Sequence, residues 1–124
     1  MSKIYKLLIV DDDPSIVRVL QRILKQEPYE ISTTSDPAQA IAMVEKEDFD
    51  LILSDFHMGT LSGVDIFKKC EELKRKAKRV MMTGTPNSTL SPDLHKELSV
   101  FNLILKPWDN ESLKKILRAA LDIT

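Results

Sequence analysis

Three consecutive aspartates, Asp11, Asp12 and Asp13, follow an aliphatic run at 7–10 and precede Pro14. Two unit charges about 4 Å apart interact by about 4 kcal/mol at an effective dielectric near 20, so a fold that keeps carboxylates together sets something positive against them. Oxygen-rich sites of this kind suit Mg²⁺ or Ca²⁺. Asp13 has a simpler role open to it, because Asp before Pro is a helix start with Asp as N-cap. Asp11 and Asp12 have no such role. Further along, Asp55 follows the aliphatic stretch DLIL and Ser54, Thr83 precedes Gly84, and Lys106 precedes Pro107. Each alone has an ordinary reading as a cap, a turn former or a solvated cation. Together, three carboxylates, a hydroxyl and an ammonium suit phosphoryl transfer. A divalent cation neutralises phosphoryl charge, a lysine and a hydroxyl hold phosphoryl oxygens, and a carboxylate serves as nucleophile. No histidine, cysteine or serine is obviously placed to replace that carboxylate.

These residues converge only if the right elements carry them. Apolar runs at 4–10, 29–34, 49–54, 79–83 and 100–105 alternate with helical patterns. The runs KLLIV, DLILS and NLILK read as strands buried on both faces. The run at 29–34 is more polar and alternating, which places it at a sheet edge. The first helix, from Pro14, is expected to turn Ile16, Val19, Leu20, Ile23 and Leu24 inward. A second starts at Asp36-Pro37 with Ala40, Ile41 and Val44 inward. A third follows Ser62-Gly63 and uses Val64, Ile66, Phe67, Cys70 and Leu73. Residues 84–91 read as loop, Ser91-Pro92 opens a short fourth helix to about Leu98, and the fifth spans 110–123. Five alternating strands and helices imply a doubly wound parallel α/β sheet, for which right-handed crossovers favour the order 2-1-3-4-5. Ligands of such sheets sit beyond the carboxyl ends of the strands, at the switch between strands one and three. Asp11, Asp12, Asp55, Thr83 and Lys106 all fall at those ends.

The bulk composition narrows the setting. A chain of 124 residues, 43% apolar and 30% charged, fits one globular domain over 1–124. A net charge of −1 creates no global attraction for nucleic acid or anionic membrane, so neither is expected as a direct partner. The basic residues at 68–79 read as a solvated helix face. A single cysteine, Cys70, excludes an internal disulfide and suits a reducing cytoplasm. No apolar run approaches membrane-spanning length and the start shows no signal-peptide pattern. His95 and Trp108 read as ordinary surface and packing residues, and the methionines 58, 81 and 82 as packing.

The motifs LLIVDDDP, DLILSDFHM, VMMTG and LILKPW, in this order and spacing, resemble those of bacterial two-component response-regulator receiver domains, which share a (βα)₅ flavodoxin-like fold. The resemblance covers essentially the whole chain. It implies that Asp55 is the phosphoacceptor and that Mg²⁺ is held by Asp12, Asp55, the backbone carbonyl of His57 and, through water, Asp11. It implies that Thr83 bonds the phosphoryl group, that Lys106 pairs with it, and that the Lys106-Pro107 peptide is cis. A sensor histidine kinase or phosphotransfer protein would be the donor. An output domain or protein would read the surface of helix four, strand five and helix five, with a phosphorylation-dependent dimer left open. Such a domain catalyses only its own phosphorylation and dephosphorylation.

Several positions depart from the family pattern. The Met-Pro-Gly that often follows the phosphoacceptor is here His57-Met58-Gly59-Thr60. Leu103 stands where the family usually has Tyr or Phe, which alters the coupling between the threonine and that position. His57 and Thr85 occupy positions that tune phosphoryl lifetime. The main alternative is a pseudo-receiver, a phosphorylation-independent interaction module. A flavin binder is disfavoured because Asp-Asp-Asp-Pro would repel a flavin phosphate, and a phosphohydrolase because there is no cap insertion. Neither the cognate kinase nor the output is legible, nor whether the domain stands alone or belongs to a longer protein.

Overall fold

Ten elements alternate strictly along the chain in a computed structural model that describes residues 3–56, 61–84 and 91–123. They are β1 (Tyr5–Val10), α1 (Pro14–Ile23), β2 (Tyr29–Thr34), α2 (Pro37–Lys46), β3 (Leu51–Asp55), α3 (Gly63–Glu72), β4 (Lys78–Thr83), α4 (Pro92–Glu97), β5 (Val100–Leu105) and α5 (Asn110–Ala120). The five strands form one parallel sheet in the order β2-β1-β3-β4-β5. This is the doubly wound, flavodoxin-like arrangement that the alternating pattern predicts.

The central strands carry unbroken apolar stretches, Leu7 to Val10 in β1 and Leu51 to Leu53 in β3, because each face meets a helical layer. On β1, Leu8 and Val10 join the core under α2 and α3, with Ala40, Val44, Ile66 and Phe67. Leu7 and Ile9 point the other way, to Leu20, Leu24, Leu113 and Leu117 of the α1 and α5 layer. This is the two-residue alternation of a strand applied to two cores at once. Fully burying one such aliphatic side chain contributes about 1.5–3 kcal/mol, so the site rests on a stiff platform.

Helix starts are set by side chains. Asp13 and Asp36 cap α1 and α2, accepting from Ser15 N at 2.9 Å and Ala38 N at 3.0 Å, each followed by Pro. Ser62 and Asp65 form a capping box on α3. No helix among the described residues is long and apolar enough to cross a membrane.

Four packing expectations need correction. Strand β5 is not buried on both faces: it is the second sheet edge, and Phe101 and Leu105 are 44% and 48% exposed. On α1, Val17 is buried and Val19 is exposed. Ile16 and Ile23 are only partly covered, so the inward face lies slightly around the helix from the expected stripe. Leu73 is exposed because α3 ends at Glu72 and Lys74 turns the chain with φ 56°. The basic residues at 68–79 are therefore not one helix face. They run from α3 through the connection into β4, where Arg79 is buried. Arg79 donates to Glu71 Oε1 at 2.6 Å, Leu98 O at 2.9 Å and Arg75 O at 2.7 Å, tying α3, β4 and the end of α4 together.

Candidate functional site

The first carboxylate is placed by the end of β1. Asp11 is fully buried, and its Oδ1 accepts from Asp13 N at 2.9 Å, which turns the chain into α1. Asp12 is exposed at the rim. Asp55 ends β3, next to β1 in the sheet, and is 7% exposed. Carboxylate oxygens of Asp11, Asp12 and Asp55 all lie within 4.8 Å of one another.

Lys106 reaches this cluster from the residue after β5. Its ammonium lies 2.8 Å from Asp11 Oδ2 and 3.2 Å from Asp55 Oδ1. The backbone helps to aim it: Lys106 N donates to Thr83 O at 2.8 Å, and the following peptide, Lys106-Pro107, is cis. Thr83 is buried at the end of β4, one residue past Met82, which pairs with Asp55. Thus Asp11, Asp12, Asp55, Thr83 and Lys106 gather at the carboxyl ends of the strands. His57 and Thr85 lie outside the described residues.

The electrostatics are uneven. Burial, and then the Asp11 charge, push the Asp55 carboxyl above the usual carboxylate range, although Lys106 pulls the other way. Burial acts against the Lys106 ammonium, but its bonds to Asp11 and the charges of Asp11 and Asp55 hold it above its usual value. Among the described residues, one cation, Lys106, sits with three carboxylates. An all-oxygen donor set with negative charge left over fits Mg²⁺.

Two supporting residues were not assigned a role at the site from the sequence. Ser54 Oγ donates to Asp55 O at 3.1 Å. Gly63, the first residue of α3, packs so closely under β3 that a Cβ there would meet Asp55 O at 2.6 Å and Ser54 Oγ at 3.0 Å. The Ser-Gly pair signals a helix start in the sequence, but only the fold shows that this start lies against Asp55. Leu103 is half-buried and packs on the α2–α3 core. Trp108 packs partly on the other core, as expected of a packing residue, and its Nε1 donates to Asn110 Oδ1 at 3.1 Å at the start of α5. Met81 and Met82 are fully buried.

The fold and the carboxylate cluster define a receiver class, and the comparison with known families agrees. The chain belongs to the response regulator receiver domain family, whose model matches residues 7–118. It is 32% identical over 117 residues to the alkaline phosphatase synthesis transcriptional regulatory protein PhoP of Bacillus subtilis, covering 91% of this chain and 48% of that protein. It is 26% identical over 118 residues to sporulation initiation phosphotransferase F of Bacillus subtilis, covering 95% of this chain and 94% of that protein. Among solved structures, the signal receiver domain of an HD domain-containing protein from Pseudomonas fluorescens Pf-5 superposes with a TM-score of 0.87. The two are 26% identical, with 98% of this chain and 90% of that one covered. The chain spans about half the length of PhoP and 26% of transcriptional regulators such as GlrR of Escherichia coli.

Proposed function

We propose that residues 1–124 act as a phosphorylation-controlled switch, with Asp55 accepting a phosphoryl group from a sensor histidine kinase or phosphotransfer protein. The observation that carries this reading is the position of Asp55: nearly buried, at a strand end, in contact with Lys106 and grouped with Asp11 and Asp12. In the transfer, an Asp55 oxygen forms a bond to phosphorus as the bond from phosphorus to the donor nitrogen breaks, and the leaving imidazole takes a proton. Asp11, Asp12, Asp55 and the carbonyl of His57 would hold Mg²⁺. When bound, Mg²⁺ supplies positive charge to the phosphoryl oxygens. The Lys106 ammonium, already 3.2 Å from Asp55 Oδ1, is placed to follow the new negative charge. The Thr83 hydroxyl is assigned the remaining phosphoryl oxygen.

An apolar shelf of about 410 Å³, lined by Ile16, Val19, Pro107 and Trp108, adjoins Lys106. It suits the approach of a donor protein and gives the exposed Val19 a use. Phosphorylation then changes the face of α4, β5 and α5 that an output domain or partner reads, in a cytoplasmic setting. Retention of every charged and hydroxyl residue of the set favours this cycle over a phosphorylation-independent interaction module.

The test uses acetyl phosphate and Mg²⁺ with intact-mass detection. One added phosphoryl group is expected, none in Asp55→Asn, and none when EDTA replaces Mg²⁺. Equal labelling of Asp55→Asn would remove Asp55 from the mechanism.

A further inference from the structure

At the opposite end of β4 from Asp55, a groove of about 780 Å³ opens between the α3–β4 connection, α4 and β5. Among the described residues, five cations border it, Arg75, Lys76, Lys78, Arg79 and Lys96, against one carboxylate, Glu71. In a chain of net charge −1 this is a strong local excess, which the bulk composition conceals. The two arginines are already committed. Arg75 bonds Asp48 Oδ1, Val44 O and Glu45 O, and Arg79 bonds Glu71 and the carbonyls of Leu98 and Arg75. The side chains of Lys76, Lys78 and Lys96 make no ion pair or hydrogen bond among the described residues.

Phe101 is the independent second feature. Along the β4–β5 ladder Arg79 pairs with Val100 and Val80 with Asn102, so Phe101 is the extra residue of a β-bulge. Bulges redirect a side chain, and this ring is 44% exposed and lines the same groove. A bulge also blunts an edge strand, and single exposed apolar residues are common. A redirected aromatic ring in one groove with three lysines unpaired among the described residues is the less ordinary combination. Lysine ammoniums are point charges that suit phosphate oxygens, whereas planar carboxylate recognition favours the arginine fork, and both forks here are engaged. An aromatic face stacks any nucleobase.

We propose that this groove binds a nucleotide-class ligand, with a base stacked on Phe101 and phosphates held by Lys76, Lys78 and Lys96. The site is independent of the reading of Asp55. Free nucleotide and single-stranded nucleic acid share this chemistry. The test is fluorescence anisotropy of the full chain at low salt, with a labelled oligouridylate of about ten nucleotides and a labelled adenosine triphosphate as separate probes. At least one probe is expected to bind. The triple variant Lys76→Gln/Lys78→Gln/Lys96→Gln should weaken binding about tenfold or more and flatten its salt dependence. Phe101→Ala should weaken it about fivefold or more, by loss of stacking. Lys25→Gln, which removes one charge outside the groove, should leave affinity within about twofold. Saturable binding of the triphosphate identifies a free nucleotide as the source, and binding of the oligomer alone identifies a strand. Wild-type affinity in the triple variant, or binding of neither probe, would overturn the proposal. So would an oligoglutamate peptide that competes equally while Phe101→Ala has no effect, since the groove would then take acidic peptide.

Discussion

The two ends of the sheet both bury charge, and they balance it differently. At the amino end, Arg79 is 3% exposed and is met by one carboxylate, Glu71, and two backbone carbonyls. At the carboxyl end, Lys106 meets Asp11 and Asp55, and Asp12 adds a third carboxylate at the rim. The first set is close to neutral and ties three elements together. The second is left negative and ties nothing that a neutral pair would not tie as well. A buried charge matched by its partners is a structural joint. A buried surplus is held in place by the rest of the fold, and it marks where a ligand of opposite charge belongs.

The largest expected effect comes from breaking the matched end. Arg79→Met keeps most of the side-chain volume but takes the guanidinium from Leu98 O and Arg75 O and leaves Glu71 with the Ser99 hydroxyl. Removing one partner of a buried charged pair costs about 3–5 kcal/mol. Glu71 is 38% exposed and can take up water instead, so about 2–4 kcal/mol is the expected loss. Urea unfolding measures it. A loss below about 1 kcal/mol would show that Arg79 does not hold the joint.

The surplus end should respond with the opposite sign. Asp55→Asn removes a carboxylate whose ionised form the fold disfavours, so without metal the variant should be more stable than wild type, by on the order of 1 kcal/mol. The pH profiles sharpen the contrast. Folding raises the Asp55 pKa, through burial and then Asp11, so in a window above the ordinary carboxylate value the native state keeps a proton that the unfolded chain has lost. Stability falls as pH rises through that window, and the advantage of Asp55→Asn should grow. Glu71 behaves in reverse. The hydrogen bond from Ser99, then the bond and charge of Arg79, hold its carboxyl below the usual range against a burial effect that raises it. Its contribution is present above the ordinary Glu value and is lost as pH falls through the lowered one. Glu71→Gln should therefore be destabilised near neutrality and converge on wild type in acid. Thermal unfolding of the three proteins in EDTA between about pH 3 and pH 7 checks both slopes. Parallel profiles would refute the contrast.

How much of this was legible follows from the same difference. The carboxyl-end residues sit where an aliphatic run stops, so strand ends, strand order and the gathering of Asp11, Asp12, Asp55, Thr83 and Lys106 could be read from local pattern and crossover rules. The amino end hides from such reading. Arg79 lies in a basic stretch that reads as surface, and its burial depends on Glu71 and on Leu98, 19 residues away. The exposure of β5 depends on its being last in the sheet, and the bulge at Phe101 adds a residue that no periodicity marks. On α1, Val17 and Val19 differ by a rotation of the helix that only its neighbours decide. Gly63 could be read as a helix start, but its close approach to Asp55 is a tertiary fact.

The smallest effect tests whether every buried polar atom at the amino end is as well matched as Arg79 Nη1 and Nη2. Tyr29 opens β2, and its hydroxyl is buried with no hydrogen-bond partner among the described residues. Burial, and then the nearby Glu27 carboxylate, push its pKa up to about 12, while Arg118 pulls the other way. Glu27 is itself held by Arg118 at 2.7 and 3.0 Å, so it has no need of the phenol as a donor. Deleting an unpaired hydroxyl removes a desolvation cost and no bond, so Tyr29→Phe should be neutral or stabilising by up to about 1 kcal/mol. In wild type the native state keeps the phenolic proton between the ordinary tyrosine value near 10 and about 12, so stability should fall as pH rises through that window. In Tyr29→Phe that part of the alkaline loss should vanish. Tyrosinate absorbance in folded protein, compared between the two, reads the same titration directly. A Tyr29→Phe variant less stable by more than about 1 kcal/mol would mean that the hydroxyl has a partner.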